Sequence, residues 1–131
     1  MALTITAAAA NSMAAALATA IGSAATIEIR VGTKPATPET AASGTLLVTV
    51  PITGSFTASG GSITAADPAS AAPAAGGTAG YFRLKTSGGT AILDGTVTAT
   101  GGGGDLQLGS TTITTGVNVD LGVPSFTMPV A

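Results

Sequence analysis

The chain has 131 residues, among them 27 Ala, 23 Thr, 19 Gly and 10 Ser, and a formal net charge of −2. It holds no His, Cys or Trp. That excludes zinc and haem sites built on His or Cys, cysteine nucleophiles, Ser-His-Asp triads and disulfides. The four basic residues stand in two separated pairs, Arg30/Lys34 and Arg83/Lys85, too few for a surface that follows nucleic-acid phosphates.

The length fits one domain, residues 1–131, with an arm and helix over 1–22 and a β-sandwich over 26–131. The first charged side chain is Glu28. No Lys or Arg precedes the apolar stretch, as a signal peptide requires. The stretch is mainly Ala interrupted by Thr, Asn and Ser, so a membrane span is not expected.

Met1–Ile5 reads as a short arm or first strand. Residues 7–21 read as a helix, because Ala is the strongest helix former, Thr6 is a good N-cap and Gly22 a good stop. Met13, Leu17 and Ile21 recur at i, i+4 and i+8 and predict a stripe that packs on a sheet, the alternative being a partner-binding helix whose small Ala face permits close approach.

From Thr26 the period becomes two. Ile27, Ile29 and Val31 predict a buried face, with Glu28 and Arg30 on a wet one. Gly32–Gly44, with two prolines, reads as a long loop. Thr45–Ile52 is the next strand, with Leu46, Val48, Val50 and Ile52 on one face, and Pro51 marks it as an edge. Short strands are expected around Phe56 and Ile63, and residues 65–80 read as an exposed loop. Tyr81–Thr86 and Thr90–Thr100 form a hairpin through Ser87-Gly88-Gly89, with Asp94 on a wet face. Gly101–Gly104 is a turn. Asp105–Leu108, Thr111–Thr115, Val117–Leu121 and Ser125–Val130 complete the set, the last with Phe126, Met128 and Val130 facing in. Seven to nine short strands at this spacing are the signature of a sandwich or barrel, and the expected fold is an all-β, antiparallel sandwich with one N-terminal Ala-rich helix.

Tests for chemistry find little. Gly101–Gly104 is followed by Asp105, where a phosphate loop needs Gly-Lys-Ser/Thr. The aspartates 67, 94, 105 and 120 form no calcium-loop pattern, and Asp67 before Pro68 reads as a turn residue. Lys85-Thr86-Ser87-Gly88 has no Ser-x-x-Lys partner. No catalytic, metal or cofactor residue is assigned, and the chain is expected not to be an enzyme.

The order of segments carries a resemblance over nearly the whole chain. An Ala-rich helix leads into TIEIRVGTKPATP and GTLLVTVPI; GTAGYFRLKTSGGTAILDGTV, a glycine turn with DLQL and a closing SFTMPVA follow. This resembles small virion proteins of tailed bacteriophages, best those of the capsid cement or decoration kind. The resemblance implies a jelly-roll body, location on the capsid surface after synthesis in a bacterial cytoplasm, the major capsid protein as partner, a homo-oligomer, and no nucleic acid or membrane. Partner contact is assigned to Leu3, Ile5, Met13, Leu17, Lys34, Leu47 and Tyr81, with the Lys34–Ser43 and Ala65–Gly80 loops. The alternatives are a tail or baseplate component and a host-surface module binding a receptor or glycan. Poor aromatic content weighs against the last.

Overall fold

In the computed structural model, which describes residues 4–127, the helix α1 covers Ala7–Ile21, the span its alanines predict. The Thr6 side chain accepts the Ala9 N–H at 3.1 Å, and the Gly22 N–H donates to the Ala18 carbonyl at 3.1 Å. These bonds satisfy backbone groups that a helix end leaves open.

The buried stripe differs from the expected one. Ala10, Ala14, Ala18 and Ile21 are buried, Leu17 is half-buried, and Met13 is 49% exposed. The helix is therefore turned so that alanines face the protein. Without bulky side chains at the contact it lies close to the next hairpin, where a Cβ on Gly61 would stand 3.3 Å from the Ala10 Cβ.

Nine strands follow: β1 (Thr26–Val31), β2 (Leu46–Pro51), β3 (Thr57–Ser59), β4 (Ser62–Thr64), β5 (Gly77–Lys85), β6 (Ala91–Ala99), β7 (Leu106–Leu108), β8 (Thr112–Ile113) and β9 (Ser125–Thr127). The large sheet runs β2-β1-β5-β6-β7, with β8 paired to the start of β5, and a small sheet runs β3-β4-β9. Helix α1 packs on β3 and β4. The expected edge position of Pro51 is observed, since β2 ends the large sheet. β3 and β4 join through Gly60-Gly61 with φ of +61° and +81°, the backbone of a two-residue hairpin turn that favours glycine.

Three expectations need correction. β5 begins at Gly77, inside the segment read as loop, because its first residues pair with β8 (Gly77 with Ile113, Thr78 with Thr112). Val117–Leu121 is not a strand and contributes only a bridge from Val119 to Ala71. The sheet is also mixed: β7 runs parallel to β6, with Val97 beside Leu106 and Ala99 beside Leu108.

Parallel neighbours normally need a connection of about a dozen residues or more. Here residues 100–105 suffice, because the chain doubles back through glycine. Gly101 and Gly103 have φ of +87° and +82°. A Cβ on Gly102 or Gly104 would meet the Thr98 side chain at 2.7 or 2.8 Å.

One apolar face of the large sheet meets the small sheet. Ile27, Ile29, Val48, Val50, Phe82 and Leu84 are fully buried on it or within about 2% of that. The three phenylalanines tie the sheets together. Phe82 of β5 stacks on Phe126 of β9 with centroids 5.0 Å apart, and Phe56 lies 6.1 Å from Phe126. Phe82 pairs across the ladder with Gly95, which has no side chain to obstruct its ring. Met128 and Val130, expected to face in, and Leu3 lie outside the described residues.

Candidate functional surface

The other face of the large sheet holds half of the ten charged residues. Register places Thr49, Glu28, Arg83 and Asp94 in one row across β2, β1, β5 and β6. Thr26 and Lys85 pair in the row to one side, and Arg30, Tyr81 and Thr96 in the row to the other. Alternation puts these side chains on one face because successive strand residues point to opposite sides.

This face was expected to be wet. Instead Tyr81 is fully buried, Arg83 is 3% exposed and Glu28 9%. The side chain of Asp94 is 2% exposed. The cause is mutual cover. Arg83 is flanked by Glu28 and Asp94 across the strands and lies between Tyr81 and Lys85 on its own strand. Its Nε donates to Asp94 Oδ1 at 2.7 Å and its Nη2 to Asp94 Oδ2 at 2.9 Å, the two-pronged geometry a guanidinium favours. The hydrogen bonds to Asp94 hold the Arg83 guanidinium above its ordinary range. The Asp94 charge adds to this against the opposing effect of burial.

Glu28 is shared. One oxygen accepts from Arg30 Nη2 at 3.1 Å, the other from Lys85 Nζ at 3.1 Å. Arg30 also reaches the Gly44 carbonyl at 3.1 Å, and Tyr81 Oη donates to the Ser43 carbonyl and accepts the Ser43 N–H at 3.1 Å. The charged face thus anchors the end of the 32–44 loop. Among the described residues no buried side-chain nitrogen or oxygen lacks a partner. The arrangement is a brace whose groups are engaged with one another.

Replacing Tyr81 with Phe tests this anchoring. It will cost about 0.5–1.5 kcal/mol, since the exposed Ser43 regains water partners. It will also speed protease cutting within residues 32–44 ahead of the rest of the chain. Unchanged cutting would show that the loop is held without the hydroxyl.

A cleft of about 330 Å³ opens between β6 and β9. Phe82 and Phe126 line it together with Asp94, Asp105, Ser125 and Thr127. Asp94 is held by Arg83, and Asp105 accepts both the N–H and the hydroxyl of Thr96 at 3.0 and 3.1 Å. Among the described residues no group of three or more carboxylates is placed to hold a metal ion. The glycine turn directs its amides inward: Gly101 donates to Gln107 Oε1 and Gly104 to Thr98 Oγ1, both at 3.0 Å.

The residues assigned to partner contact are not brought together. Met13 and Lys34 are exposed, Ile5 and Leu17 are half-buried, and Leu3 is outside the described residues. Leu47 and Tyr81 are fully buried, which corrects their assignment as contact residues. Leu47 is the extra residue of a bulge, since Ile29 pairs with Val48 and Arg30 already with Leu46. It sits in the core, and its carbonyl accepts the Ala74 N–H at 2.7 Å. Tyr81 is used by Ser43.

Two apolar side chains not singled out from sequence stand outside: Val117 at 61% and Val123 at 57% exposure. Their only signal is that each adjoins a glycine in a segment poor in strand pairing. No helix among the described residues is long and apolar enough to cross a membrane. No family model, curated protein or solved structure matches the chain.

Proposed function

We propose that this chain is a structural component of a bacteriophage particle. It binds the outside of the capsid, as a homo-oligomer, and cements neighbouring major capsid subunits. One observation carries the reading beyond the resemblance of the segments. The chain turns three of its four cations and its single tyrosine into an internal brace across β1, β5 and β6, while the helix shows outward mainly Ala, Ser and Thr, with Met13 exposed. A braced sheet body beside an uncharged, small-residue helix face suits attachment by area and shape. Weak contacts of that kind become firm when many copies sit on one shell. On this reading the body is of the jelly-roll kind, supported by two sheets around one core.

Within this reading the contacts come from Ile5, Met13 and Lys34, from the Lys34–Ser43 loop and from the loop of residues 65–76 that precedes β5. Quantitative mass spectrometry of purified virions tests it. The expected result is the chain at a copy number comparable to the capsid subunit. Absence from the particle overturns the proposal, and a handful of copies located at the tail replaces it with a baseplate role.

A further inference from the structure

Three of the four aspartates have held carboxylates. Asp94 accepts from Arg83, Asp105 from Thr96, and Asp120 from the Gly122 N–H at 2.9 Å. Asp67 is exposed and has no hydrogen-bond partner among the described residues. It is also the one aspartate followed by proline. The segment around it is short and tied at both ends. The Ala65 N–H donates to the Pro124 carbonyl at 3.0 Å, and Ala71 exchanges two bonds with Val119 at 3.0 and 2.8 Å. Residues 66–70 stand between these anchors, all exposed except Pro68, which is buried.

We propose that the Asp67–Pro68 bond is an acid-triggered scission site, and that the chain cut there remains one folded particle. A carboxyl oxygen of Asp67 attacks the backbone carbonyl carbon of the same residue. The bond from that carbon to the Pro68 nitrogen breaks. This nitrogen, a tertiary amide with no N–H, takes up a proton and leaves as a secondary amine. The remaining five-membered anhydride on Asp67 is opened by one water, giving two carboxyl groups. One water is consumed, and nothing is oxidised or reduced. At Asp94, Asp105 and Asp120 the carboxylate is already engaged, and the following residue is Gly, Leu and Leu respectively, so the leaving nitrogen is that of an ordinary secondary amide.

The fold decides what the cut does. Helix α1 and strands β1–β4 precede it, and β5–β9 follow. The two pieces share both sheets. β1 pairs with β5 from Thr26/Lys85 to Val31/Ala79, and β4 pairs with β9 from Ser62/Thr127 to Thr64/Ser125. Phe56 of one piece contacts Phe126 of the other, and the Glu28–Lys85 ion pair spans them. Separating the pieces would dismantle the core. The inference does not depend on the assembly proposed above.

The test is incubation of the purified full chain in mild acid, return to neutral pH, and mass spectrometry under denaturing and native conditions. The expected products are residues 1–67 and 68–131, found together as one species before denaturation. Asp67→Ala, a change at an exposed loop position, removes the internal nucleophile, and cutting at this bond falls by about a hundredfold or more. Equal cutting in Asp67→Ala, or equal cutting after Asp94, Asp105 or Asp120, overturns the site. Pieces that separate at neutral pH without denaturant overturn the claim that the cut chain holds together.

Discussion

Asp94→Ala lowers the stability of the fold by about 3–5 kcal/mol, the cost of leaving a buried charge without its partner. The expected observation is a fall in the urea midpoint with little change in the slope of the transition. The size follows from burial. The side chains of Arg83 and Asp94 are 4% and 2% exposed, so water cannot replace the lost carboxylate without opening the row. A double change, Arg83→Met with Asp94→Leu, is expected to recover most of the loss, because a buried pair exchanged for packed apolar groups is often near neutral. If Asp94→Ala instead costs under about 1 kcal/mol, as at exposed pairs, the row is hydrated and the brace is not what stiffens the sheet.

The pH dependence of this brace has a definite sign. The folded-state value of Arg83 is raised, with its hydrogen bonds to Asp94 the leading cause. A raised basic group stabilises the fold fully below its unfolded value and loses that contribution only as pH rises through the folded one. For a guanidinium this window lies in strong alkali, so Arg83 stays charged through the neutral range.

The second large effect lies at the contact between the sheets. Phe82→Ala is expected to cost about 3–5 kcal/mol, since its ring is fully buried and stacked on Phe126. Gly95→Ala costs about 1–3 kcal/mol for the opposite reason, overpacking: the new Cβ would stand 2.4 Å from a ring atom of Phe82 and 3.1 Å from the Asp105 Cβ. The two sites share one volume, so their effects are not additive. Gly95→Ala introduced with Phe82→Leu should cost clearly less than Gly95→Ala alone. Chemical denaturation of the four proteins measures the difference, and strict additivity would show that the ring is not what requires glycine at 95.

Much of the local architecture was legible because local rules govern it. The helix bounds follow from alanine, Thr6 and Gly22. Strand β1 follows from strict alternation, and the β5–β6 hairpin from Ser87-Gly88-Gly89, where the Gly89 N–H closes on the Thr86 carbonyl at 2.9 Å. The Gly60-Gly61 turn obeys the same kind of local rule, with positive φ at both residues. The helix stripe differs from the expected one because hydrophobicity ranks Met13 above Ala10. Packing instead favoured the smaller side chain, where the helix approaches the hairpin closely.

The surface was less legible. Alternation identifies which side of a strand carries charge, but not whether that side meets water. Glu28, Arg83 and Asp94 come from three strands, and only their register puts them in one row where each covers the next. The bulge that buries Leu47 likewise arises between two strands.

The sequence by itself determined that the chain is β-rich with one N-terminal helix. It also determined that chemistry based on His or Cys is closed to it, since composition sets both directly. Tertiary structure alone decided that β7 lies parallel to β6, that Tyr81 is an internal anchor, and that Asp67 is the aspartate without a bond among the described residues. Those outcomes depend on contacts between separate strands and loops, which pattern along a single strand or helix does not encode.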